Sequence, residues 1–149
     1  MPVNPELVGR EFPPTAPYLV GREKVREFAR AVFADAPQHI DPVAAQALGY
    51  ADVVAPPTFA IVVQESTLQQ LLAEPDSGIV LSRLLHADQR FSYTRPIVAG
   101  DELTAQLSIT GLRKMGGNAM VTAETVITDA ASGHVVTATA VLLAGEDDQ

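Results

Sequence analysis

The apolar positions of this chain change their period once, near Gly78. Before it they fall at helical spacing. Val25, Phe28, Ala29 and Val32 stand at i, i+3, i+4 and i+7, which predicts an amphipathic helix over residues 22–33, ending before Pro37. Asp41, Pro42 and Gly49 predict a short second helix, with Asp as N-cap, Pro at the first position and Gly past the end. A third helix starts after Pro56-Pro57 and carries Phe59, Ile61, Val62, Val63, Leu68, Leu71 and Leu72 to about Ala73. Its first half is apolar almost all round, as in a helix buried on most sides. Glu74-Pro75-Asp76-Ser77-Gly78 stops it.

Beyond Gly78 the period is two. Residues 81–93 read as a strand of mixed polarity. In 102–113, Leu103, Ala105, Leu107 and Ile109 alternate with Thr104, Gln106, Ser108 and Thr110. Gly116-Gly117-Asn118 makes a turn, and strands 120–128 and 134–143 follow, separated by Ser132-Gly133. Long strands on short turns predict an antiparallel meander. The third helix is the element best able to cover one face of it. The expected class is therefore α+β, a hot-dog fold in which a long antiparallel sheet wraps a central apolar helix. Its open edge would pair with a second subunit, giving a double hot dog. Residues 1–17 contain Pro2, Pro5, Pro13, Pro14 and Pro17 and are expected to run extended over the surface, before a short strand at 18–20.

Composition narrows the classes of function. The 149 residues suit one domain with one core, and 47% are hydrophobic. No apolar run reaches the length of a membrane span, and the first residues lack a signal-peptide pattern. With no cysteine, disulfides and thiolate metal sites are excluded, which fits a cytoplasmic protein. The three histidines are scattered without ligand spacing, so neither a metal site nor a cofactor is expected. The net charge of −8 argues against nucleic-acid binding. Part of it lies in an acidic tail, 145–149, with Glu146, Asp147 and Asp148, expected to fray. Basic residues form two groups, Arg22, Lys24, Arg26 and Arg30, then Arg83, Arg90, Arg95, Arg113 and Lys114. They read as solvated faces or as a small basic rim for a phosphate-bearing ligand.

The chemistry concentrates in Ala34-Asp35-Ala36-Pro37-Gln38-His39, followed by Leu48-Gly49-Tyr50 and Ala55-Pro56-Pro57-Thr58-Phe59. With Val20-Gly21-Arg22-Glu23-Lys24-Val25-Arg26-Glu27-Phe28-Ala29 and Arg95-Pro96-Ile97-Val98-Ala99-Gly100-Asp101, these segments make most of the chain resemble the MaoC-like (R)-specific hydratase/dehydratases. The resemblance is closest to the A-type subunit of the heterodimeric (3R)-hydroxyacyl-ACP dehydratase. It implies reversible addition of water to an enoyl thioester carried on ACP or CoA. That reaction needs an Asp/His pair to hold the water and move protons. It also needs a backbone N–H at a helix N-terminus to stabilise the charge that develops on the thioester oxygen. Active members carry Asp-x-Asn-Pro-x-His. Aligned on Pro37 and His39, the Asp position falls on Ala34 and the Asn position on Ala36, with Asp35 one place out of register. The position of the donor Gly falls on Pro57, which has no N–H; the Thr58 N–H or hydroxyl is the substitute.

Three readings follow. The first is a poorly catalytic, substrate-binding subunit whose partner holds the intact Asp and His. The second is an active homodimer using Asp35 and His39. The third is an acyl-binding or thioesterase-like protein using Glu65 on the central helix. His39 is either a turn residue bonded to backbone or a substrate contact. Val62, Val63, Leu68 and Leu71 are either core or acyl-tunnel lining. Gln64, Glu65 and Ser66 place polar groups in the middle of the helix, where they face an interface or a lumen. His86 and Asp88 share a strand face. His134 reads as a solvated strand start.

Overall fold

The computed structural model describes residues 2–146. Three helices precede most of the sheet: α1 (Arg22–Ala31), α2 (Pro42–Ala47) and α3 (Ala60–Ala73). The strands are β1 (Tyr18–Leu19), β2 (Leu84–Tyr93), β3 (Glu102–Met115), β4 (Asn118–Asp129) and β5 (Gly133–Gly145). They form one antiparallel sheet in the order β1-β3-β4-β5-β2, curled around α3 as a hot-dog fold.

The meander is only partly realised. β3, β4 and β5 follow one another, but β2 pairs with β5 at the far edge and not with β3. A glycine turn closes β3 onto β4, but nothing local ties β2 to its sequence neighbour, so its place is set by long-range packing. Leu81–Arg83 is a 3₁₀ turn and not part of the strand. A register shift between His86 and Asp88 marks a bulge at Ala87. The bulge breaks the alternation that would have put His86 and Asp88 on one face. Asp88 instead pairs with Arg90 at 3.0 Å.

α3 buries one face on the sheet through Ala60, Val63, Gln64, Thr67 and Leu71. Its other side, with Glu65, Ser66 and Gln69, is exposed, so within this chain the helix is covered on one side. The core divides into two clusters, one around Leu71, Leu107 and Ile109 and one around Phe59, Val63 and Ile97. Between them lie Gln64 and the Thr67–Thr125 hydroxyl pair at 2.9 Å. α1 stops two residues short of Phe33, which takes φ +59° and is 90% exposed.

The N-terminal segment is more than a surface strap. It holds a 3₁₀ turn, Pro5–Leu7, and runs beside β3 through Gly9 N–H to Ile109 O and Phe12 N–H to Leu107 O, both 2.8 Å. Val3, Leu7 and Phe12 are buried in the core. At the other end of the chain, Glu146 does not fray: it accepts from Val3 N–H at 3.0 Å and is paired with Lys114. Asp147 and Asp148 lie outside the described residues.

Gly78 is where the N-terminal segment crosses the loop after α3. It has φ +72°, and a Cβ there would sit 2.1 Å from the Pro2 carbonyl oxygen. Gly78→Ala is expected to displace residues 2–4 and cost more than about 1 kcal/mol, a melting-temperature drop of at least about 2 °C. An unchanged thermal melt would contradict this account of the crossing.

Candidate active site

Pro37 opens a 3₁₀ turn, Pro37–His39, between α1 and α2. The turn faces a strap, Val53 to Ala55, that lies along the segment before β3: Ala55 N–H donates to Ile97 O at 2.8 Å and Ala99 N–H to Val53 O at 3.0 Å. Strap and turn are clasped twice. Val54 N–H donates to Gln38 O at 2.9 Å, and His39 Nδ1 lies 2.6 Å from Val54 O. A carbonyl only accepts, so Nδ1 carries the proton and Nε2 is the free nitrogen of the neutral ring. His39 is thus a turn residue bonded to backbone and a cavity residue at once.

That cavity measures about 440 Å³. It is lined by Gln38 and His39 of the turn, by Val54, Ala55 and Pro57, and by Tyr93, Thr94, Arg95 and Pro96. The last four stand at the end of β2 and just after it, brought in by the pairing of β2 with β5. Arg95 does not present a free charge. It holds Asp101 through two bonds, 2.8 and 3.3 Å, and lies 3.7 Å from Asp129. The Ala131 N–H, then Ser132 N–H and Arg95, keep the Asp129 carboxyl below the usual carboxylate range. Thr94 Oγ1 lies 2.6 Å from His134 Nδ1, and His134 Nε2 2.7 Å from Thr137 Oγ1. His134 is therefore a tied, half-buried group and not a solvated strand start. Arg22 and Asp52 join α1 to the strap at 2.7 and 3.0 Å, and this pairing lowers the Asp52 pKa.

The residues expected at the site separate in space. His39 and Pro57 meet in the cavity. Asp35 does not: with Ala34 it lines a neighbouring depression, beside Arg30, Phe33 and Ile40. The turn at Pro37 sends the two stretches of chain in different directions. Thr58 is exposed in the 3₁₀ turn Pro57–Phe59, next to the cavity residue Pro57. Val63 is core, Val62 packs against it, and neither lines the cavity. Leu71 is core, and Leu68 lines a depression between α3 and β2. Glu65 lines that same depression, with His86, and accepts from Gln69 Nε2 at 2.8 Å. The buried Gln64 amide has no hydrogen-bond partner among the described residues.

Sequence reading missed Gln38, Tyr93 and Thr94 as cavity residues. Gln38 adjoins His39, and Tyr93-Thr94 precede the quoted Arg95-Pro96, so adjacency was the available signal. Tyr93 donates from Oη to Pro57 O, and burial pushes its pKa up to about 12.

A family model described as FAS1-like, dehydratase domain region matches residues 6–138. The chain belongs to this family. A UPF0336 protein of Clavibacter michiganensis subsp. michiganensis is 63% identical over 99% of both chains. Among solved structures, the C-terminally truncated HadBC (3R-hydroxyacyl-ACP dehydratase) complex of Mycobacterium tuberculosis contains a chain that is 33% identical. It superposes with a TM-score of 0.82, covering 92% of this chain and 96% of that one. A MaoC-like dehydratase is 38% identical with a TM-score of 0.86; the match covers 95% of this chain but 43% of the other. This FAS1-like dehydratase-region protein is therefore a member of the MaoC-like hydratase/dehydratase hot-dog family. Among its described residues no helix is long and apolar enough to cross a membrane.

Proposed function

We propose that this protein is the substrate-binding, poorly catalytic subunit of a (3R)-hydroxyacyl-thioester dehydratase, or (R)-specific enoyl hydratase, acting on acyl-ACP or acyl-CoA. One observation carries the reading: the His39 cavity has no carboxylate in its lining, and Asp35 faces a different depression. His39 Nε2 can accept a hydrogen bond from water. Hydration also requires a second group to share the two proton movements, and no carboxylate lines the cavity to serve as one. Asp35 lines a different depression from His39, and Glu65 lines another, between α3 and β2.

A partner chain is supported by the unfinished surface. β2 pairs only with β5 among the described residues, and Leu81 and Leu85 beside its free edge are 68% and 66% exposed. A depression between α3 and β2, in which five leucines stand beside Glu65, Gln69 and His86, adjoins them. The HadBC neighbour is itself a complex, and the MaoC-like neighbour has more than half its chain unmatched. We infer a heterodimer in which the catalytic Asp and His come from the partner, working in the cytoplasm. With a charge of −8, this chain repels an acidic carrier protein, so a carrier docks on a basic patch or on the partner.

The test is hydration of an enoyl thioester by the purified, folded chain alone, followed as loss of enoyl absorbance. Turnover at least about a hundred-fold below an ordinary kcat near 10 per second is expected. Turnover at the ordinary rate would overturn the assignment as the poorly catalytic subunit.

A further inference from the structure

We propose that the Tyr93 hydroxyl donates the hydrogen bond to the thioester carbonyl, in place of the backbone N–H that Pro57 lacks. This rests on the reading of the His39 cavity as a thioester site.

Tyr93 lines the same cavity as His39, and its Oη donates to the carbonyl oxygen of Pro57. The hydroxyl therefore stands at the Pro57–Phe59 turn that leads into α3. Tyr93 thus brings a donor to the Pro57 backbone, where the backbone itself offers none. Burial pushes its pKa up to about 12, so the group stays protonated at neutral pH. Pro57 is exposed, so water can take over its carbonyl when the hydroxyl turns toward a ligand.

The other polar groups of the lining are weaker candidates. His39 Nδ1–H is committed to Val54 O. Arg95 is held by Asp101 and Ser132. The Thr94 hydroxyl is held against His134. The Gln38 amide is the remaining rival and serves as the comparison.

The probe is butanoyl-CoA labelled with carbon-13 at the thioester carbonyl, a saturated ligand that cannot be hydrated. Its carbonyl stretch is read by isotope-edited infrared difference spectroscopy on the purified chain. Binding to the wild-type protein should move the stretch to lower frequency. Tyr93→Phe should abolish that shift and weaken binding about two- to ten-fold. Gln38→Leu should leave the shift in place. Adding Pro57→Gly to Tyr93→Phe returns a backbone N–H and should restore the shift, which a merely structural role for Tyr93 does not predict. Replacing Tyr93 with 3-fluorotyrosine, a stronger donor of nearly the same shape, should lower the frequency further and covers the case in which Tyr93→Phe fails to fold. A shift that survives in Tyr93→Phe, or that 3-fluorotyrosine leaves unchanged, overturns the role of Tyr93 while the thioester reading stands. No binding to the folded wild-type chain overturns both.

Discussion

Assembled with a MaoC-like chain that carries an intact Asp and His, this protein is expected to support enoyl-thioester hydration at least about a hundred-fold faster than it does alone. The magnitude follows from what its cavity lacks. A positioned general acid or base contributes on the order of a hundred- to ten-thousand-fold. His39 stands in a cavity without a carboxylate, while Ala34 and Asp35 line the depression beside it. On the proposed reading, the pair needed for proton movement is supplied in trans. The sharper form of the prediction is an asymmetry between the chains. Replacing the catalytic Asp or His of the partner should remove activity by that same hundred- to ten-thousand-fold. His39→Ala in this chain should leave kcat within about ten-fold, because His39 lines the cavity without a carboxylate partner. The measurement is steady-state hydration by the purified heterodimer and its two variants. Equal losses from the two chains would contradict the division of labour.

Phe59→Ala should be the most damaging single substitution to stability. Phe59 is fully buried and meets the edge of Phe28 at a centroid distance of 5.4 Å and an interplanar angle of 82°. It packs with Val53, Ala55, Val63 and Ile97 in the cluster beneath the His39 cavity. Removing a buried Phe side chain costs about 3–5 kcal/mol, from lost transfer free energy and the void left behind. Total stabilities of about 5–15 kcal/mol make that a large fraction. The melting temperature should fall by roughly 10 °C, and urea unfolding should show a lower midpoint with little change in slope. Phe59→Leu keeps most of the volume and should lose less than half as much. A loss below about 1 kcal/mol for Phe59→Ala would mean that the cluster closes over the gap.

Much of the local structure was legible because it depends on neighbours in the chain. Asp41 Oδ1 accepts from Val43 N–H at 2.9 Å, with Pro42 at the first position of α2 and Gly49 at φ +94° beyond it. Leu103, Ala105, Leu107 and Ile109 are buried, as a period of two requires of one sheet face. The first half of α3 was expected to be buried on most sides, but within this chain Ala60, Val63 and Gln64 are buried while Ile61 and Val62 are half-buried. At the site, the family resemblance pointed to His39 and, as a departure from the family pattern, to Pro57, and the two line one cavity.

What lay beyond sequence reading depends on groups far apart along the chain. The partner of β2 is set by which edge remains after β3, β4 and β5 have paired through their own turns. Val3, Leu7 and Phe12 looked like parts of a surface segment because prolines flank them, yet backbone bonds to β3 draw them into the core. Asp35 and His39 are four residues apart, but a proline-led turn puts them on different cavities. Tyr93 reaches Pro57 across 36 positions of sequence. Periodicity and capping thus specified helices and strands, because hydrogen bonds and side-chain direction within an element are local, while the family resemblance rested on the quoted segments. Only the folded chain decided which residues share the cavity, because that depends on how the curled sheet, the strap and the helix N-terminus close on one another.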